Sequence, residues 1–107
     1  MNDQKVNEVL DGVIRSILSY EGPADPENNA VIVLRPVRCP QDKFPASTYE
    51  ALEHALWLAQ EARTWGPERI EKKFRWLGFI QGVLWMTGTH TIAESKDANR
   101  AAEGREL

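Results

Sequence analysis

The stretch "KFRWLGFIQGVLWMTG", residues 73–88, holds two tryptophans, two phenylalanines and three glycines, and no charge after Arg75. From Trp76 to Met86 only Gln81 interrupts the apolar run. Crossing a bilayer takes about 20 apolar residues, whereas runs of about 10–14 belong to buried core helices. The length therefore points to a helix inside a soluble protein. At about 100° per residue, Ile70, Phe74, Leu84 and Trp85 fall near Leu77 and define one core face. Trp76, Phe79, Val83 and Met86 fall opposite, and Gly78 and Gly82 occupy the sector between. A helix that is apolar all round must be covered all round. The few other short elements cannot enclose it, so Phe79, Val83 and Met86, with the Gly78/Gly82 trough, are expected at a homodimer interface. Two-fold closure is the commonest way to bury such a face. The G-x-x-x-G spacing has a plainer reading too, in which the glycines admit Ala55 or Ala59 of a neighbouring helix.

Upstream, "PASTYEALEHALWLAQEARTWGP" begins with a capping box, Ser47 and Glu50, and ends at Gly66-Pro67. Gly66 suits the C′ position of one helix and Pro67 the first turn of the next. The short connection predicts an antiparallel helical hairpin, 48–65 against 67–87. Leu52, Ala55, Leu56, Ala59 and Ala62 form the inner stripe, and alanine lets the axes come close. Nearer the N-terminus, Val6, Val9, Leu10, Val13, Ile14, Ile17 and Leu18 repeat with helical spacing. A helix over about 3–20 follows, capped by Asp3 and stopped by Gly22-Pro23. Thr91 and Glu94 make a second capping box, opening a short helix over 92–101.

Residues 21–46 read as an extended crossover. "AVIVLRPV" is β-branched enough for a short edge strand at 31–35, but Pro36 lacks a donor and no second strand candidate exists to pair with it. The fold class is all-α, one domain over 1–107.

The 42% hydrophobic and 27% charged fractions belong to a globular chain, not a disordered one. A net charge of −3 is too weak for a DNA mimic and has the wrong sign for a nucleic-acid binder. One cysteine, Cys39, excludes an internal disulfide and suits a reducing cytoplasm. Charges scattered through "MNDQKVNEVLDG" leave no apolar signal segment there.

Candidate chemistry is sparse. Glu50/Glu53, Glu68/Glu71 and Glu94/Asp97 share the E-x-x-[ED] spacing that places carboxylates on one helix face, where they can hold Mg²⁺. All-α nucleotide pyrophosphatases resemble this in using such pairs on facing helices. The first member of each pair sits in a first helical turn, however, where capping and the helix dipole already account for it. His54, His90 and Cys39 lack zinc spacing, and neither a serine–histidine–acid arrangement nor a phosphate loop is visible. No metal and no cofactor are expected. Arg69, Lys72, Lys73 and Arg75 interleave with Glu68 and Glu71 as a solvated face that could also grip a nucleotide phosphate. Trp57 stands out because it projects among Glu50, Glu53, His54 and Glu61, on the polar face of its helix. A tryptophan there is an interface anchor, so Trp57, Glu53, His54 and Glu61 form the candidate partner-binding site. The other reading covers Trp57 with the 21–46 segment.

The segment R-W-L-G-F-x-Q-G-x-L-W, followed by "TIAESKDANR", resembles small uncharacterised proteins of tailed bacteriophages and prophages. The resemblance covers about the last half of the chain and carries no catalytic residue. It implies an accessory protein of the host bacterial cytoplasm that binds a host or phage protein, as a regulator or an inhibitor, including of host defence. The alternative function is nucleotide handling, by a Mg²⁺-dependent pyrophosphatase or by a binder that sequesters a signalling nucleotide.

Overall fold

The structure, a computed structural model, describes residues 2–20 and 33–102. Four α-helices follow in order: α1 (Asp3–Leu18), α2 (Thr48–Arg63), α3 (Ile70–Met86) and α4 (Ile92–Ala102), with a 3₁₀ turn at Pro67–Arg69 before α3. The described residues contain no strand, and the fold is all-α. No described helix is long and apolar enough to cross a membrane. The turn at "ADPENN" and the Gly22-Pro23 stop lie outside the described residues.

Helix α1 buries the predicted stripe, Val6, Val9, Leu10, Val13 and Ile17, against α2 above all and against α3 and α4 at its edges. Leu18, the last member, is exposed. Its cap is one residue earlier than expected: the Asn2 side chain accepts from the Lys5 N–H at 3.0 Å, which leaves Asp3 in the first turn with its carboxylate free for other work. Helix α2 answers with Leu52, Ala55, Leu56, Ala59 and Ala62, all fully buried. Ser47 caps it by accepting from the Glu50 N–H at 3.2 Å, while the Glu50 carboxylate accepts from Ala46 rather than from Ser47.

The connection between α2 and α3 differs from the sequence expectation. Helix α2 ends at Arg63, and Gly66 is extended (φ −76°, ψ 172°) instead of left-handed. It caps the 3₁₀ turn that Pro67 opens. The left-handed glycine is Gly88 (φ 74°), which closes α3 in a Schellman motif: the N–H groups of Gly88 and Thr89 donate to the carbonyls of Trp85 (3.1 Å) and Leu84 (2.8 Å). The Thr91–Glu94 capping box forms in both directions, at 3.1 and 3.2 Å.

The buried arc of α3 is rotated by roughly 50° from the projected one. Leu77, Ile80, Leu84 and Lys73 are buried, whereas Phe74 and Trp85, expected in the core, are 38% and 53% exposed. Lys73 is the cause. Its side chain is fully buried and its ammonium donates to Asp3 Oδ1 at 2.7 Å and to Asn7 Oδ1 at 3.1 Å, across the sequence on α1. The solvated role expected for Lys73 is therefore wrong. At the far end of α1, Ser16 Oγ lies 3.1 Å from His90 Nε2, in the loop before α4, and α4 is tied to α3 by the Gln81–Asn99 amide pair at 2.9 and 3.4 Å.

A buried ammonium that loses its carboxylate is costlier than the loss of the whole pair, because the charge stays behind. Asp3→Ala is expected to destabilise the fold by about 3 kcal/mol, and Lys73→Met, which replaces the charge with apolar volume, by about 1 kcal/mol. Urea unfolding of the two variants checks the order.

Candidate functional site

Residues 33–46 cross the α2–α3 hairpin without regular structure, and the way they are held creates the site. Alternate backbone N–H groups point to α2. Arg35 donates to Glu53 Oε2 (3.0 Å), Val37 to the Glu53 carbonyl (3.3 Å) and Cys39 to His54 Nδ1 (3.0 Å). On an extended chain residues two apart face the same way, so Pro36, which lacks an N–H, falls where no donor is used. Residues 31 and 32 of the expected edge strand lie outside the described residues, and 33–35 form no strand, the Arg35 N–H being given to Glu53. The donors that a ladder would take are satisfied by side chains and a carbonyl of a helix. Leu34, 5% exposed, anchors the start of the segment in the core.

Between this segment and the hairpin lies a cleft of about 310 Å³. Trp57 forms one wall, with the His54 ring parallel to it at a centroid distance of 6.3 Å and the Arg38 guanidinium 5.2 Å above it. Trp76 follows at 6.2 Å, and Trp65 meets Trp76 edge-on at 4.5 Å. Phe79 meets His54 edge-on at 6.4 Å and closes the row at the other side. Lys72 sits over Trp65 and Trp76 at 4.8 and 5.4 Å, and Arg69 over Trp65 at 4.9 Å. The bases that the sequence places on a solvated face thus include two that cover aromatic rings.

Burial lowers the pKa of His54, and the positive charge of Arg38 lowers it further. The ring accepts at Nδ1, so in its neutral form the hydrogen is on Nε2.

The four residues expected to meet a partner share one side of α2, but two of them serve this chain. Glu53 and His54 hold residues 35–39, Trp57 is half-buried beneath Arg38, and Glu61 is exposed. The described part of the 21–46 segment covers Trp57. The second cluster is open. Phe79 is 56% and Met86 76% exposed, and a Cβ added at Gly78 or Gly82 would meet nothing within 4 Å. Ala55 and Ala59 are buried elsewhere, which corrects the reading in which the two glycines admit them. Val83 is half-buried and lines the cleft. Trp85 and Ile92 extend the open surface of α3 onto α4.

The paired carboxylates are largely taken. Glu50 and Glu53 accept from the backbone N–H groups of Ala46 and Arg35, Glu94 caps α4, and Asp97 pairs with Arg100 at 3.7 Å. Among the described residues no three His, Cys, Asp or Glu side chains converge as metal ligands. The Ser16–His90 contact, invisible in the sequence, joins residues 74 apart. It ties α1 to the loop before α4. Arg38 and Lys43 were not singled out from sequence either. The alternation of Arg35, Val37 and Cys39 around Pro36 was the signal that would have placed them beside α2.

Trp57→Ala is expected to cost about 2–3 kcal/mol and Trp85→Ala less than about 1 kcal/mol, reversing the order that the helical projection implies. Thermal melts of both variants check this. The lowered folded pKa of His54 means that its contribution is complete above pH 6.5, its ordinary value, and declines as pH falls below that through the lower folded value. His54→Asn keeps an acceptor for Cys39 and is expected to flatten this part of the stability–pH curve.

No protein-family model, curated protein or solved structure matches this chain.

Proposed function

We propose that this chain is a small phage-type accessory protein of the host bacterial cytoplasm that acts by binding a host or phage protein and not by catalysis. The observation that carries the reading is the open surface of α3. Phe79, Trp85 and Met86 stand more than half exposed beside two glycines with free space above them. A contiguous apolar patch of this kind marks an association surface, and a glycine trough lets a second backbone approach closely. The resemblance of R-W-L-G-F-x-Q-G-x-L-W to phage and prophage proteins supplies the biological setting. The first occupant of the surface is a second copy of the chain, packed through Phe79, Met86, Gly78 and Gly82, with Val83 at the margin. The exposed Glu61 and the covered Trp57 then lie at the cleft side of the molecule, where a heterologous partner has access to the edge of the 33–46 segment.

A second reading, nucleotide handling, has one observation in its favour, the cationic aromatic cleft. Its binding form keeps that support. The magnesium-dependent pyrophosphatase form lacks that support: Glu50, Glu53 and Glu94 are engaged as caps and straps, and among the described residues Glu68 and Glu71 join no group of three metal-ligating side chains.

Light scattering at micromolar concentration tests the dimer, and a monodisperse species of 12.1 kDa would refute it. Gly78→Ala and Gly82→Ala sharpen the experiment. With nothing within 4 Å of either added Cβ, each is expected to stabilise the monomer by about 0.5–1 kcal/mol through helix propensity while weakening self-association.

A further inference from the structure

We propose that the cleft between residues 33–46 and the α2–α3 hairpin binds a planar aromatic anion of about mononucleotide size. The nucleotide member of that class rests on the second reading above; the site itself does not. At about 310 Å³ the cleft lies at the small end of the range of ligand pockets, roughly 300–1,000 Å³. Its walls are π faces and edges: Trp57, Trp76, Phe79 and the His54 ring. Flat ring systems gain most from such walls, since stacking on tryptophan is strong and tolerant of the ring's identity.

The charge of the lining selects the sign of the ligand. Among the described residues Arg38 and Lys43 line the cleft and no Asp or Glu does, although the chain as a whole carries −3. The local field therefore opposes the global one, and it is concentrated at one aromatic surface. Arg38 lies over Trp57 at 5.2 Å, and a guanidinium attracted to a ring still has N–H groups to donate to an oxyanion. Lys43 adds a second donor among the lining residues. His54, accepting from Cys39 at Nδ1, contributes its Nε2–H.

The site is also preformed. The N–H groups of Arg35, Val37 and Cys39 staple the covering segment to α2, and the Lys43 N–H closes the following turn on the Pro40 carbonyl at 3.1 Å. Little ordering cost remains at the moment of binding, which is what a small ligand with limited contact area requires.

Titration of the full chain, followed by tryptophan fluorescence and calorimetry, tests the proposal with four probes: adenosine 5′-monophosphate, 2-naphthoate, uncharged adenosine and inorganic phosphate. At least one of the two aromatic anions is expected to saturate the site, with adenosine and phosphate at least about tenfold weaker. Arg38→Gln and Lys43→Gln, both at exposed positions, are expected to reduce that affinity by about 10–100-fold each, and Lys43→Gln to do so without changing the melting temperature. Naphthoate binding without the nucleotide would support the site and refute the nucleotide reading. Nucleotide binding that survives both substitutions would support that reading and overturn this site. Saturation by neither anion, or equal binding of adenosine or phosphate, would overturn the proposal.

Discussion

The structure depends on a buried ammonium. Lys73 lies at the start of α3, fully buried, and its ammonium donates to the carboxylate of Asp3 at 2.7 Å and to the amide oxygen of Asn7 at 3.1 Å. Both belong to the first turns of α1, so the pair fixes the N-terminal end of α1 against the base of the hairpin. The charge also sets the rotation of α3, because the ammonium has to face α1. Leu77, Ile80 and Leu84 then point into the core with it, and Phe74 and Trp85 cannot. The exposed aromatic surface is thus the other side of an electrostatic choice. Ser16–His90 and Arg63–Asp11 complete the frame around α1, the second of them a surface pair of small energetic weight.

A second constraint operates on the opposite side of the hairpin. An extended segment has a donor and an acceptor at nearly every residue and must place them somewhere. Here the donors of residues 35, 37 and 39 are received by Glu53 and His54, which converts two polar helix residues into fasteners. Their side chains hold the roof of a cleft whose walls are aromatic and whose rim is cationic. Trp57 links the two halves, stacked on His54 and covered by Arg38.

The helices were legible because their signals are local: the apolar stripe of α1, the alanine seam of α2, the Ser47 and Thr91 caps and the glycine after α3. The homogeneous composition of α3 was the obstacle. With apolar residues on every side, its projection has no minimum to mark the solvent face, and reading Lys73 as solvated moved the inferred core toward Trp85. A buried lysine is recognisable only once Asp3 and Asn7 are beside it, and they are about 70 residues away. Gly66 misled for a related reason, since its role as a cap of the next turn depends on Pro67 opening a 3₁₀ segment. Trp57 was identified as anomalous from its polar neighbours. That those neighbours bind the chain's own backbone follows from the path of residues 33–46, which periodicity does not encode.

The proposed role of the protein turns on what covers Phe79, Met86 and the glycine trough. A nitroxide at position 75, an exposed site on the same side of α3, attached in an Arg75→Cys, Cys39→Ser chain, reports on that surface directly. Pulsed dipolar spectroscopy is predicted to show one narrow intermolecular distance that fades when labelled chain is diluted with unlabelled chain. A featureless decay at every dilution, the signature of isolated spins, would contradict the account.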